Sequence, residues 1–246
     1  IANAPDGSLF VSDMYEVYIA HGQHYQNQID TTTGRIFRLS GANAALEKDV
    51  NLTAKSTAQL VALLSHPNKW HRHTAARVLG ERRDPAAAAA LRRVIAENRD
   101  LGALNALWAL HQSTGLDEAT ARAALRHAYP AVRFWTARLL GDEWGLHRNL
   151  GAGQHARAIE SRPTGVMPAP LFDALMAQAW VATDPEALSQ YASTARRLNA
   201  PQALPLVGAV LSHADAVRDA SIPLLCWWVF EAHIPASNAA VLELFK

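Results

Sequence analysis

From residue 57 onward the apolar positions recur every three or four residues, the spacing of one helix face, and the runs are broken by His66-Pro67, Asp84-Pro85, Asp117, Pro130 and Asp184-Pro185. Such punctuation predicts antiparallel helix pairs. The first joins Thr57–Ser65, with Leu60, Val61, Leu63 and Leu64 inward, to Lys69–Arg83; the second joins Pro85–Glu97 to Asp100–Gln112; the third joins Asp117–His127 to Pro130–Glu143. Asp followed by Pro supplies an N-cap and a first helical residue that needs no N–H partner, so both Asp-Pro steps are read as helix openers. After Trp144 the period is lost among Gly145, Gly151, Gly153, Pro163, Gly165, Pro168 and Pro170, which predicts an irregular insertion near 145–169. Helices are expected again over 170–182, 184–198, 202–212 and 215–231. The run Ile222–Phe230 is apolar enough to predict a helix buried on all sides.

A repeat underlies the pattern. Arg72-His73-Thr74-Ala75-Ala76-Arg77-Val78-Leu79-Gly80 returns as Arg133-Phe134-Trp135-Thr136-Ala137-Arg138-Leu139-Leu140-Gly141, and a weaker copy, Gly102–Leu110, lies between them. The unit is roughly 30 residues, in the range of stacked solenoid repeats. The fold class read from this is mainly α, an α-solenoid of antiparallel helix pairs over 57–246. The arginines are expected to act structurally, each first one reaching the acidic or carbonyl-rich end of the neighbouring unit, such as Glu81, Asp84, Asp142 or Glu143. Trp108 and Trp135 are expected to fill the groove between successive pairs.

Residues 1–40 follow a different rule. Asp6-Gly7 is a turn signal, Ser8–Ser12 alternates apolar and polar residues, and Gly34–Leu39 alternates charged and apolar ones, as in a strand with one polar face. Two strands do not make an independent domain. Between them lies a polar cluster in which Asp13, His21, His24 and Arg35 are the candidate site residues: in a loop at a pocket mouth they would serve as base, metal ligand or anion clamp. The plainer alternative is an inter-strand loop whose Asp and His side chains satisfy backbone groups, since His-x-x-His without a third ligand is a weak metal signal. Residues 41–56 show no clear period and are read as a linker containing a short helical turn.

Composition narrows the functions. With 23 basic and 22 acidic residues the net charge is +1, so no global field draws the chain to nucleic acid or anionic lipid. The arginines are also too few on one face for a nucleic-acid stripe. His147, Arg148, His155, Arg157 and Arg162 in the insertion form either an anion or partner patch or a solvated loop. The single cysteine, Cys226, excludes an internal disulfide and any Cys-x-x-Cys motif within these residues, and its apolar neighbours mark it as a core residue. No apolar run reaches the length of a membrane span. The chain opens on Ile1 with no signal-peptide pattern and stops inside an apolar helical pattern, and it is read as a piece of a longer polypeptide.

The helical sequences "YPAVRFWTARLLGDE" and "HPNKWHRHTAARVLGERRD" resemble the second helix of HEAT repeats: a proline, then Val-Arg, an Ala-rich face and Leu-Gly. The N-terminal "NAPDGSLFVSDMYE" and "DTTTGRIFRLS" resemble the closing segment of a sugar or sorbosone dehydrogenase-like β-propeller. In that order, followed by "IPLLCWW", the parts resemble the membrane-bound dehydrogenases of planctomycete and verrucomicrobial bacteria. That resemblance implies a truncated propeller segment at 1–40, a HEAT-like solenoid at 57–246, and a c-type haem domain elsewhere, with no cofactor or metal held by these residues. It further implies a periplasmic or extracellular location and, as partners, the propeller and cytochrome domains of the same chain. The expected function is a scaffold spacing a catalytic propeller from a haem domain, not catalytic alone. The alternatives are an N-terminal loop that completes a sugar or alcohol oxidation site, or a free-standing HEAT adaptor for a protein partner.

Overall fold

In the computed structural model, which describes residues 1–13, 34–43, 45–145 and 165–245 but not the side chain of Val217, five antiparallel helix pairs follow a small sheet. The helices are α1 (Thr57–Leu63), α2 (Lys69–Arg82), α3 (Pro85–Glu97), α4 (Leu101–Ser113), α5 (Glu118–Ala124), α6 (Pro130–Trp144), α7 (Ala169–Val181), α8 (Pro185–Ala195), α9 (Ala200–Leu211) and α10 (Ile222–Glu243). First helices pack on first helices, α1 through α9, and second helices on second helices, α2 through α10, so the pairs stack in two layers as a solenoid. The predicted caps form: Asp84, Asp117 and Asp184 each accept a backbone N–H from the first turn of the helix they open.

Two buried clusters make the core, and they meet on the third pair. Val132 and Leu139 of α6 pack with residues of α1–α4, while Ala137 and Leu140 of the same helix pack with residues of α7–α10. The recurring glycines allow close approach of second helices. A side chain at Gly80 would run into Gln112 of α4, and one at Gly141 would meet Thr194 and Arg197 beyond α6. At Gly165 the backbone itself is in the way, with the Arg197 and Trp144 carbonyl oxygens 2.5 Å from a built Cβ. Gly165 bridges Leu198 in parallel fashion, donating to the Arg197 carbonyl at 3.2 Å and accepting from the Asn199 N–H at 2.8 Å.

The arginine ladder takes a different course from the one expected. Arg72 donates to the His66 and Pro67 carbonyls, both at 2.7 Å, and Arg133 to those of His127 and Ala128, at 2.8 and 3.2 Å. Each arginine therefore closes the turn of its own pair. A C-terminal helix turn leaves carbonyls without partners, and a guanidinium six residues on is the nearest donor. Arg77 and Arg138 pair within their own helices, with Glu81 at 2.7 Å and Asp142 at 3.8 Å. Units are linked by other arginines, Arg92 to Asp117 at 2.7 Å and Arg197 to Asp142 at 2.6 Å, and by turn histidines. The Nδ1 of His127 accepts from the Tyr129 N–H, so its Nε2 donates, at 2.8 Å, to the Ile95 carbonyl at the end of α3. His213 makes the equivalent link to Ala179 of α7 at 2.7 Å.

The last helix also departs from expectation. Residues 216–218 form a short 3-10 turn, and α10 starts only at Ile222, because the Asp219 carboxylate accepts from the Ser221 and Ile222 N–H groups. Its apolar run is not buried all round. Ile222, Cys226, Val229, Phe230 and His233 form an inward stripe at helical spacing, while Leu224, Trp227 and Trp228 on the other side are 50%, 55% and 43% exposed. A helix buries only the faces its neighbours cover, and α8 and α9 cover one. Burial pushes the Cys226 thiol up to about 11, which fits a core residue. No helix among the described residues is long and apolar enough to cross a membrane.

The N-terminal segment forms a three-stranded antiparallel sheet, β1 (Ala2–Asn3), β2 (Leu9–Ser12) and β3 (Ile36–Leu39), in that order. Gly7 takes the positive φ of 84° in the β1–β2 turn. Beside it the Asp6 carboxylate accepts the Ser8 hydroxyl and N–H and the Arg38 guanidinium, which together hold it down to about 2. The sheet is tied to the first helix pair. The Asn68 amide donates to the Ala4 and Pro5 carbonyls, both at 2.9 Å, while its oxygen caps α2, and His71 reaches the Pro5 carbonyl at 3.1 Å. All four residues of β3 are exposed, Ile36 at 75%.

Three stability effects follow. Arg133→Met removes a charge-assisted pair of bonds and should cost about 1.5–3 kcal/mol in urea unfolding. Gly165→Ala, which overpacks backbone against backbone, should cost about 1–3 kcal/mol without loss of helicity by circular dichroism. Burial, with Arg196 nearby, holds His233 below its ordinary value of 6.5. The unfolded chain then binds the proton more readily, so stability should be complete above pH 6.5 and fall as the pH drops below it. His233→Leu should flatten that dependence in unfolding curves taken across the range.

Candidate functional site

The second helices α2, α4 and α6 come together around a groove of about 490 Å³. Helix α4 forms its floor and carries no Asp, Glu, Lys or Arg; nine of its residues, from Gly102 to Ser113, are buried. Solvation of charged side chains would oppose such burial, and their absence permits α4 to be enclosed by α2, α3 and α6. Trp108 of α4 and Trp135 of α6 meet edge to face with ring centroids 4.9 Å apart, as the expectation for the groove between pairs required. His73 of α2 approaches Trp108 edge-on at 6.1 Å, and the Arg138 guanidinium lies 5.1 Å from the Trp135 ring centroid. The pair is half-buried and forms an aromatic wall.

The floor contains unmatched polarity. Asn105, 2% exposed, donates through its amide nitrogen to the Leu101 carbonyl at 2.6 Å and to the Leu64 carbonyl at 3.4 Å. Its Oδ1 is buried without a partner, and so is the Nε1–H of Trp108 three residues on. An acceptor and a donor are thus left unpaired one helical turn apart, and each buried unpaired group of this kind costs about 1–3 kcal/mol. The rim carries one fixed positive charge, that of Arg77. Arg77, His73 and His111 line it and no carboxylate does. Burial, followed by the charges of Lys69 and Arg72, holds the His73 ring below its ordinary value.

The candidates at the N-terminus lie elsewhere. The Asp13 N–H donates to the Arg35 carbonyl at 2.8 Å and their side chains approach to 4.0 Å, so the structure brings these two together at the end of the β2–β3 pair. His21 and His24 lie outside the described residues, as do His147, Arg148, His155, Arg157 and Arg162. Among the described residues no three His, Cys, Asp or Glu side chains gather as a metal site would require. Sequence reasoning picked out Trp108 and Trp135 but passed over Asn105, His73 and His111. The signal for Asn105 was present: it is a lone amide inside the uncharged run Leu101–Leu110.

Comparison with known proteins finds that residues 44–111 match the family described as HEAT repeats, a span that includes α1 to α3 and most of α4. The chain thus carries a HEAT-repeat region within a mainly helical fold. No curated protein matches it, and no solved structure does.

Replacing Asn105 with leucine tests whether the floor is built for stability. The change removes the buried unpaired oxygen, keeps a side chain branched at the same carbon, and gives up a bond to Leu64 that is long at 3.4 Å, so the urea midpoint of Asn105→Leu should hold or rise, against the fall usual for a core substitution. A drop of more than about 1 kcal/mol would make Asn105 a structural residue.

Proposed function

We propose that this protein is a scaffold that binds a protein partner along the α2–α4–α6 groove. HEAT repeats support an interaction role. The observation that carries the location is the pairing of the Trp108–Trp135 wall with two unpaired polar atoms on Asn105 and Trp108. An extended peptide supplies alternate N–H and C=O groups, the complement to an unpaired acceptor and donor, and side chains to cover the indoles. A shift of the Asn105 and Trp108 side chains would bring both atoms within reach. Half-buried tryptophans in a groove are the residue type that dominates binding energy at interfaces. Partner capture by the protein should weaken by about 2 kcal/mol or more, roughly thirtyfold, in Trp108→Ala. Arg72→Ala, in the turn of the first pair, should lower stability and leave binding unchanged. Equal loss of binding in both variants, when folded, would move the site out of the groove.

A second reading is that the stack spaces a dehydrogenase propeller from a c-type haem domain in a periplasmic or extracellular enzyme. It is supported by the sheet: Leu9, Phe10, Ile36, Phe37 and Leu39 are all more than a third exposed, an apolar surface suited to a further β element. In that reading Asp13, His21, His24 and Arg35 belong to a sugar or alcohol oxidation site completed by other blades. His21→Ala and His24→Ala in a protein carrying those blades should then abolish turnover. Unchanged kinetics would remove the loop from the chemistry.

A further inference from the structure

The charges around the groove select among partners. Of the basic residues of α2 only Arg77 lines the groove, since Arg72 and Arg82 are held on the turn carbonyls of His66 and Pro67 and of Thr53 and Lys55, and α4 carries no fixed charge. On α6, Arg138 lies over Trp135 and projects to the surface beside the aromatic wall. The two guanidiniums nearest the wall are engaged only in exposed contacts within their own helices. Arg77 and Glu81 are 61% and 57% exposed, Arg138 and Asp142 48% and 45%, and Asp142 also holds Arg197 at 2.6 Å. Exposed pairs of this kind are worth about 0–1 kcal/mol, so both arginines can turn to a partner's carboxylates at small cost. His73 and His111 add ring N–H donors along the same rim.

Resting on the groove as the site of partner binding, we infer that its occupant is an acidic, extended peptide segment that places an apolar side chain against Trp108 and Trp135 and carboxylates toward Arg77 and Arg138. A cationic segment would meet Arg77 and Arg138 with no acidic residue lining the groove to receive it. A nucleic acid would ask for a longer row of unpaired cations than α2, α4 and α6 provide. The volume of about 490 Å³ is that of a few side chains. The acidic peptide answers both the indole wall and the rim.

The test uses the whole protein and three labelled peptides, of alternating glutamate and leucine, lysine and leucine, and glutamine and leucine, with a single-stranded oligonucleotide as a fourth probe. Binding is read by fluorescence anisotropy and by the intrinsic tryptophan signal. The glutamate peptide should bind at least tenfold tighter than the glutamine one and more tightly still than the lysine one. Its affinity should fall as salt rises, by tenfold or more in the double variant Arg77→Gln, Arg138→Gln, and in Trp108→Phe. Circular dichroism should show both variants folded. If the glutamine or lysine peptide binds as well, with the same loss in Trp108→Phe, the acidic class is overturned while the groove stands. If the oligonucleotide alone binds, or no probe responds to Trp108→Phe, the groove reading falls as well.

Discussion

The enclosure of α4 is the constraint on which the first half of the molecule depends. A helix of thirteen residues without a formal charge, packed by α2, α3 and α6, gives the neighbouring pairs a common surface to close upon. Leu104, Leu107 and Leu110 are almost fully buried, and each such side chain stabilises by about 1.5–3 kcal/mol relative to exposure. Against that gain the molecule accepts Asn105 with one oxygen unmatched. The same amide ties α4 to the end of α1 through the Leu64 carbonyl at 3.4 Å, so one side chain combines a bond between pairs with an unmatched oxygen.

Around that centre the units are joined by specific bonds at the turns. The two histidine–arginine combinations, His66 with Arg72 and His127 with Arg133, occupy the same places in the turns of the first and third pairs, with the histidine ring accepting a backbone N–H and the arginine closing the helix end. In the third pair the other ring nitrogen is free to reach back to α3. In the first pair His71, packed against the His66 ring at 4.3 Å, reaches the N-terminal hairpin. One turn design thus serves both to stack repeats and to attach the sheet.

Most helix boundaries were legible because Asp-Pro steps and apolar periodicity act locally. The Arg72 and Arg133 contacts were not, because the periodicity places an arginine on a face without saying which carbonyl it finds. The His127 and His213 links were missed for a related reason: their partners, Ile95 and Ala179, are backbone atoms some thirty residues earlier, and no side-chain identity advertises them. The burial of Ile222–Phe230 was overestimated because hydrophobicity measures what a helix tolerates, and the neighbours decide what it receives. In the groove, the two tryptophans stood out by type, but the positive rim arises only when α2 and α6 are brought to either side of α4.

The shared position of α6 has a consequence for how the protein comes apart. In an ideal solenoid each repeat contributes independently and its interfaces add, so a break between any two repeats leaves both sides intact. Here Val132 and Leu139 belong to one core while Ala137 and Leu140 belong to the other, on a single helix. The two halves are then thermodynamically coupled through one rod: fraying of either core weakens α6, and a melted α6 withdraws Trp135 from the wall it makes with Trp108. A partner held in the proposed groove would thereby favour the integrity of the distant C-terminal pairs through the folding equilibrium of one helix, with no change of shape required.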